Sequence, residues 1–133
     1  MSQASISLIQ ELYGAFGRGD IPALLAKLTG DAIWRVNGAT KEYPVIGTWK
    51  GTPGAGEFFK QVAAHEDFSA FTPLHFYADT DKVFVLGHYV LTIKKTGKQV
   101  DTDWVHVFTV RDGKVAGFTE FTDTAQFVDG YRG

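Results

Sequence analysis

Trp104–Asp123, WVHVFTVRDGKVAGFTEFTD, is the stretch on which the fold reading turns. Two runs rich in β-branched and aromatic residues flank Asp112-Gly113, the pattern of a hairpin. Two turns fit it. A two-residue loop needs both Asp112 and Gly113 at positive φ, for which Asn-Gly is the stronger pair. A three-residue loop, Arg111-Asp112-Gly113, asks only the glycine to enter the left-handed region and closes on a bulge. The three-residue loop sorts the side chains better and is the expectation. It sets Val110 opposite Lys114, Phe108 opposite Ala116, His106 opposite Phe118 and Trp104 opposite Glu120.

Partners across a ladder point to the same side. One face therefore carries Trp104, His106, Phe108, Phe118, Glu120 and Thr122, and the other Val105, Val107, Thr109, Gly117, Thr119 and Phe121. The first is an apolar surface with a few converging polar groups, the composition of a pocket wall. In this register His106 lies one diagonal step from Glu120. The two-residue register would separate them onto opposite faces.

Upstream, Ile6, Ile9, Tyr13 and Phe16 recur at helical spacing over Ser5–Phe16, and Gly17 and Gly19 close that helix. Asp20 caps a second helix with Pro22 in its first turn and Ile21, Leu24, Leu25 and Leu28 inward, broken at Gly30. Ala32–Asn37 alternates as a strand. Residues 38–51 show no period and read as a flap or mouth loop, with room for a short strand. Thr52-Pro53 opens a third helix through Phe58, Phe59 and Val62. From Phe68 the period becomes strand-like, giving Phe71–Tyr77, Lys82–Ile93 and Gln99–Val110 before the hairpin. Asp123-Thr124-Ala125-Gln126 is a capping box for a short last helix. Helices packed on one face of a curved antiparallel sheet, an α+β fold, follow from this order.

Length and composition narrow the function. The 133 residues make one domain, 1–133, large enough for a single core. The net charge of −2, with no basic block, gives nucleic acid or an anionic membrane no footing. No apolar run approaches a membrane span and no signal-peptide pattern is present, so a cytoplasmic protein is expected. The absence of cysteine excludes disulfides, thiolate metal sites and a cysteine nucleophile. His65, His75 and His88 lack ligand spacing, so no metal site is expected. Phosphate-binding glycine loops and nucleophile elbows are also missing.

Three strings carry a resemblance: GxGD between the first two helices, Gly30-Asp31-Ala32-Ile33-Trp34, and W-x-H-x-F-x-V-x-DGK from Trp104. With the element order they resemble the NTF2-like superfamily, and more closely its SnoaL-like, ketosteroid-isomerase-related branch. The resemblance covers nearly the whole chain. It implies a cone in which the curved sheet wraps around three helices from the N-terminal half and encloses a central pocket. It implies no cofactor. The steroid isomerases' catalytic tyrosine aligns with Leu12, beside Tyr13; their base aspartate aligns with Val36, beside Asn37; their proton-donating aspartate aligns with His106. None matches in kind, so steroid isomerisation is not implied. The acidic residue that polyketide cyclases carry on the last strand does match, at Glu120.

The candidate catalytic residues are thus Glu120 and His106. A carboxylate on an aromatic face loses solvation and moves toward a usable acid or base, while an ionised His106 would pull the other way. His106 could orient Glu120, donate to a ligand oxygen or shuttle a proton. The plainer readings are an ion pair from Glu120 to a lysine or arginine and a backbone-satisfied histidine. Tyr13 and Asn37 are candidate donors to a ligand oxygen. Trp34, Val36, Phe59, Trp104, Phe108, Phe118 and Thr122 are expected around the ligand. The expected function is isomerase- or cyclase-like acid/base chemistry on a small apolar carbonyl compound. Non-catalytic ligand binding and a structural dimerisation module are the alternatives. The second sheet face, with Val105, Val107, Thr109 and Phe121 continued by Phe84, Leu86 and Val90, is expected to pack against a second copy as a homodimer.

Overall fold

The computed structural model describes residues 2–133. The elements run α1 (Ser2–Gly17), α2 (Ile21–Leu25), β1 (Leu28–Val36), β2 (Gly47–Lys50), α3 (Gly51–His65), β3 (Glu66–Asp79), β4 (Lys82–Ile93), β5 (Gln99–Arg111), β6 (Lys114–Thr122) and α4 (Thr124–Arg132). One six-stranded sheet is ordered β2-β1-β6-β5-β4-β3. It is antiparallel throughout except where β1 lies parallel to β6. Two irregularities in β3 and one in β6 help it to curve. This is the expected α+β arrangement.

The sheet's concave face and the helices share one core. β4 shows the cause in miniature: Val83, Val85, Gly87, Tyr89, Leu91 and Ile93 are buried, while the residues alternating with them are not. Ile9, Leu12 and Ala15 of α1 and Ala55, Phe58, Phe59 and Val62 of α3 close over that face. Each buried large side chain contributes roughly 1.5–3 kcal/mol relative to exposure.

The hairpin differs from expectation in its turn and agrees in its faces. Arg111 pairs with Lys114, so the loop has two residues, and Asp112 and Gly113 both take positive φ (52° and 75°). Past Val110–Val115 the register shifts, Thr109 pairing with Gly117, so Ala116 is the extra residue of a bulge. The bulge restores the side-chain parity that a two-residue loop would reverse. It lets Val115 and Phe118 both turn inward, and it returns Glu120 to the face of His106.

Other boundaries shift for physical reasons. Leu28 belongs to β1, not to α2, because its strand pairs with Val115 of β6, and Gly30 lies inside that strand. The Asp20 cap holds, accepting from the Ala23 N–H at 3.2 Å. Thr52 does not cap α3; its hydroxyl donates to the Thr29 carbonyl, and the helix starts at Gly51 with φ +72°. The Asp123 side chain caps no helix N–H, although its carbonyl accepts from the Gln126 N–H. Gln126 clamps α4 to β5 instead, accepting from the Asp101 N–H and donating to the Asp101 carbonyl and the Asp123 carboxylate. The 38–46 segment is no solvent flap along its whole length: Tyr43, Val45 and Ile46 are buried and close one end of the core.

Candidate active site

A cavity of about 60 Å³ lies between α1, α3 and the sheet. Leu12, Tyr13 and Phe16 come from α1, and Phe58, Phe59 and Val62 from α3. The strands supply Trp34, Phe71, Tyr89, Phe108 and Phe118. His106, Glu120 and Glu66 also border this aromatic lining. A smaller cavity of about 10 Å³ adjoins it, bounded by Val36, Tyr43, Thr122 and Phe127, and it shares both Glu66 and Glu120.

The polar centre is a chain of two short hydrogen bonds. The Tyr13 hydroxyl is 2.7 Å from His106 Nδ1, and His106 Nε2 is 2.7 Å from Glu120 Oε2. A carboxylate only accepts, so Nε2 carries the hydrogen, and the neutral ring then accepts from Tyr13 at Nδ1. Burial pulls the His106 pKa below its ordinary value, against the opposing hydrogen bond and charge of Glu120. Burial and the Glu120 charge raise the Tyr13 phenol well above its ordinary range, so it stays a donor. His106 is 3 % exposed and stacks on the Trp104 ring at 3.9 Å, which fixes its plane.

The predicted residues fall into three groups. Glu120, His106, Tyr13, Trp34, Phe59, Phe108 and Phe118 line the main cavity together. Val36 and Thr122 border the smaller one, where Thr122 accepts from the Tyr89 hydroxyl at 2.8 Å, and Trp104 backs His106 from behind the wall. Asn37 stands apart. Its side chain is exposed and accepts from Arg35, because β1 ends at Val36 and its next residue turns outward. Asn37 is therefore no donor to this cavity.

His106 is also not a free donor to a ligand oxygen, since both ring nitrogens are engaged. The partner of Glu120 is this histidine rather than a lysine or arginine.

Sequence reading missed Glu66. It is 8 % exposed, the C-cap residue of α3 and the first residue of β3, with its Oε2 accepting from the Tyr43 hydroxyl at 2.9 Å. Burial, then the Glu120 charge, push its pKa up to about 8 despite the Tyr43 hydrogen bond. Nothing in His65-Glu66-Asp67 marks the middle residue as buried, because the helix-to-strand junction alone decides which carboxylate turns inward. The indole N–H groups of Trp34, Trp49 and Trp104 are buried and find no acceptor among the described residues.

The sequence pattern of the SnoaL-like domain matches residues 9–118. Solved structures are similar over nearly the whole chain. An NTF2-like protein from Burkholderia xenovorans LB400 is 27% identical with a TM-score of 0.89, covering 98% of each chain. An NTF2-like protein of unknown function from Burkholderia pseudomallei K96243 is 27% identical, also at 0.89, over 100% of both chains. TerC, co-crystallised with polyporic acid, is 26% identical with a TM-score of 0.83 over 98% of this chain and 99% of its own. No protein of curated function matches the chain.

Proposed function

The chain belongs to the SnoaL-like domain family, and on that premise we propose that it binds a small, mostly apolar carbonyl compound and moves a proton at the carbon beside the carbonyl, without a cofactor. The observation that carries this reading is the Tyr13–His106–Glu120 chain, which ends in an aromatic cavity. Glu120 is the base: it takes the proton, and the C–H electrons move toward the carbonyl oxygen. His106 is a positioning residue. Its Nε2–H holds one carboxylate oxygen, and the Tyr13 hydroxyl fixes the tautomer that makes this possible. The aromatic lining keeps water from competing for the proton. The similar structure of TerC, co-crystallised with polyporic acid, supports a small-molecule ligand here.

Deuterium exchange tests the reaction without the natural substrate. Acetone, cyclohexanone and acetophenone in D₂O are followed by proton NMR with and without the protein. Exchange of the protons next to the carbonyl, faster than buffer for at least one ketone, supports the reading. Binding of a ketone with no acceleration for any of the three contradicts it and leaves a non-catalytic binding protein.

A further inference from the structure

With His106 committed to Glu120 and Tyr13, and Asn37 outside the cavity, the developing enolate oxygen needs a different donor. Building on the acid/base reading above, we propose that Glu66 is the second catalytic residue, a neutral carboxylic acid that donates to the carbonyl oxygen while Glu120 takes the carbon-bound proton.

Position favours Glu66 over the other polar groups. Glu66 and Glu120 border both the main cavity and its small annex, so the two carboxyls flank the same space. The Glu66 side chain is more than nine-tenths buried and, among the described residues, its one side-chain hydrogen bond is the one it accepts from Tyr43 on Oε2. That leaves the other oxygen to carry the acid hydrogen. The Tyr89 hydroxyl, by contrast, is spent on Thr122.

Among the charged and titratable neighbours of Glu66, Glu120 favours the neutral acid, Tyr43 favours the anion, and Tyr89 and His106 stay neutral. Glu120 from β6 repels a second negative charge, α3 presents Phe59 and Val62, α4 presents Phe127, and Tyr89 from β4 brings a phenol that stays neutral. His106 from β5 is held neutral by burial. Only the Tyr43 hydroxyl favours the anion. With Glu66 kept as the acid by its burial, the two carboxyls that flank this space supply one acid and one base.

The step balances. The C–H bond breaks and its proton passes to Glu120. The carbon–carbon double bond forms, and the carbonyl oxygen takes the Glu66 proton. The reverse transfers return both protons, on the same carbon or on another.

The test combines carbon-13 NMR of protein labelled at the glutamate carboxyl with the exchange assay on acetophenone. The Glu66 signal, identified by its loss in Glu66→Gln, is expected to titrate near pH 8 and to shift when acetophenone is added. Exchange is expected to fall on the alkaline side with that titration. Glu66→Gln should lower the rate about 10²-fold or more and abolish the alkaline fall. Tyr43→Phe, which keeps Glu66 and removes the bond favouring its anion, should move the fall to higher pH. A Glu66 signal that titrates in the ordinary carboxylate range, or does not respond to acetophenone, overturns the proposal, as does a Glu66→Gln variant with the wild-type rate and pH profile. Exchange lost in Glu120→Gln but untouched in Glu66→Gln overturns this assignment alone. A protein with no exchange in any form overturns the reaction it rests on.

Discussion

His106 and Glu120 sit directly opposite each other on β5 and β6, with Nε2 and Oε2 2.7 Å apart. That pairing exists because a single bulge at Ala116 offsets a two-residue turn, so the site depends on a backbone irregularity ten residues away along the hairpin from His106. His106→Phe keeps the ring's bulk while stranding the Glu120 carboxylate and the Tyr13 hydroxyl. Leaving a buried polar group unpaired costs about 1–3 kcal/mol. Urea denaturation should show a loss of at least that size; unchanged stability would mean that neither hydrogen bond matters to the fold.

Two buried groups tilt stability with pH in opposite directions. Glu66 has a folded pKa above its unfolded value, so its contribution is complete below about pH 4.5 and is lost as pH rises toward about 8. His106 has a folded pKa below its unfolded value, so stability is lost as pH falls below about 6.5. Glu66→Gln removes the first term alone. Thermal melts from pH 5 to 8 should therefore show the variant gaining on wild type as pH rises, by up to about 1.4 kcal/mol per unit. A constant difference across that range would place Glu66 in the ionised state throughout.

Gly87 holds Trp104 in place by lacking a side chain. A Cβ there would lie 2.2 Å from Trp104 Cζ2 and 2.7 Å from the Thr72 carbonyl oxygen. The indole cannot stay where it stacks on His106. Gly87→Ala is predicted to cost about 1–3 kcal/mol, as overpacking of a core does, and to change the near-ultraviolet circular dichroism of the tryptophans. A variant with the wild-type spectrum and stability would show that the ring tolerates the contact.

The hairpin shows how far the sequence could be read. Alternation alone sorted Trp104, His106, Phe108, Phe118 and Glu120 onto one face. It could not tell a three-residue loop from a two-residue loop plus a bulge, because both give the same parity at residue 120 and Ala116-Gly117 carries no distinct bulge signal. Helix α1 was legible from its apolar stripe; the α2 boundary was not, because Leu28 suits either a helix or a strand and only pairing with β6 decides it. The family resemblance singled out Glu120, already on the last strand, as the acidic position that polyketide cyclases carry there. Glu66 escaped notice because it lies where α3 gives way to β3, and the burial of Tyr43 because it lies in the loop between β1 and β2; at both places burial depends on tertiary contacts rather than period.

The convex face of the sheet leaves Ile33, Tyr77, Leu86 and Phe121 exposed, around half-buried Val105 and Val107. We propose that a second copy covers it in a symmetric dimer, since monomers seldom leave a large contiguous apolar patch in water. Sedimentation at micromolar concentration should give a dimer for wild type and a monomer for Val107→Glu. A monomeric wild type, or a dimeric variant, rules out this interface.

Proton transfer by Glu120 is the centre of the account, and the carboxylate-to-amide change isolates it. Glu120→Gln preserves shape and a hydrogen-bonding group opposite His106 but cannot accept a proton. In D₂O, wild-type protein should exchange the methyl protons of acetophenone faster than buffer. Glu120→Gln, verified as folded by circular dichroism, should lose about 10²–10⁴ of that acceleration. A folded Glu120→Gln variant that exchanges within a few-fold of wild type would contradict the assignment of Glu120 as the base.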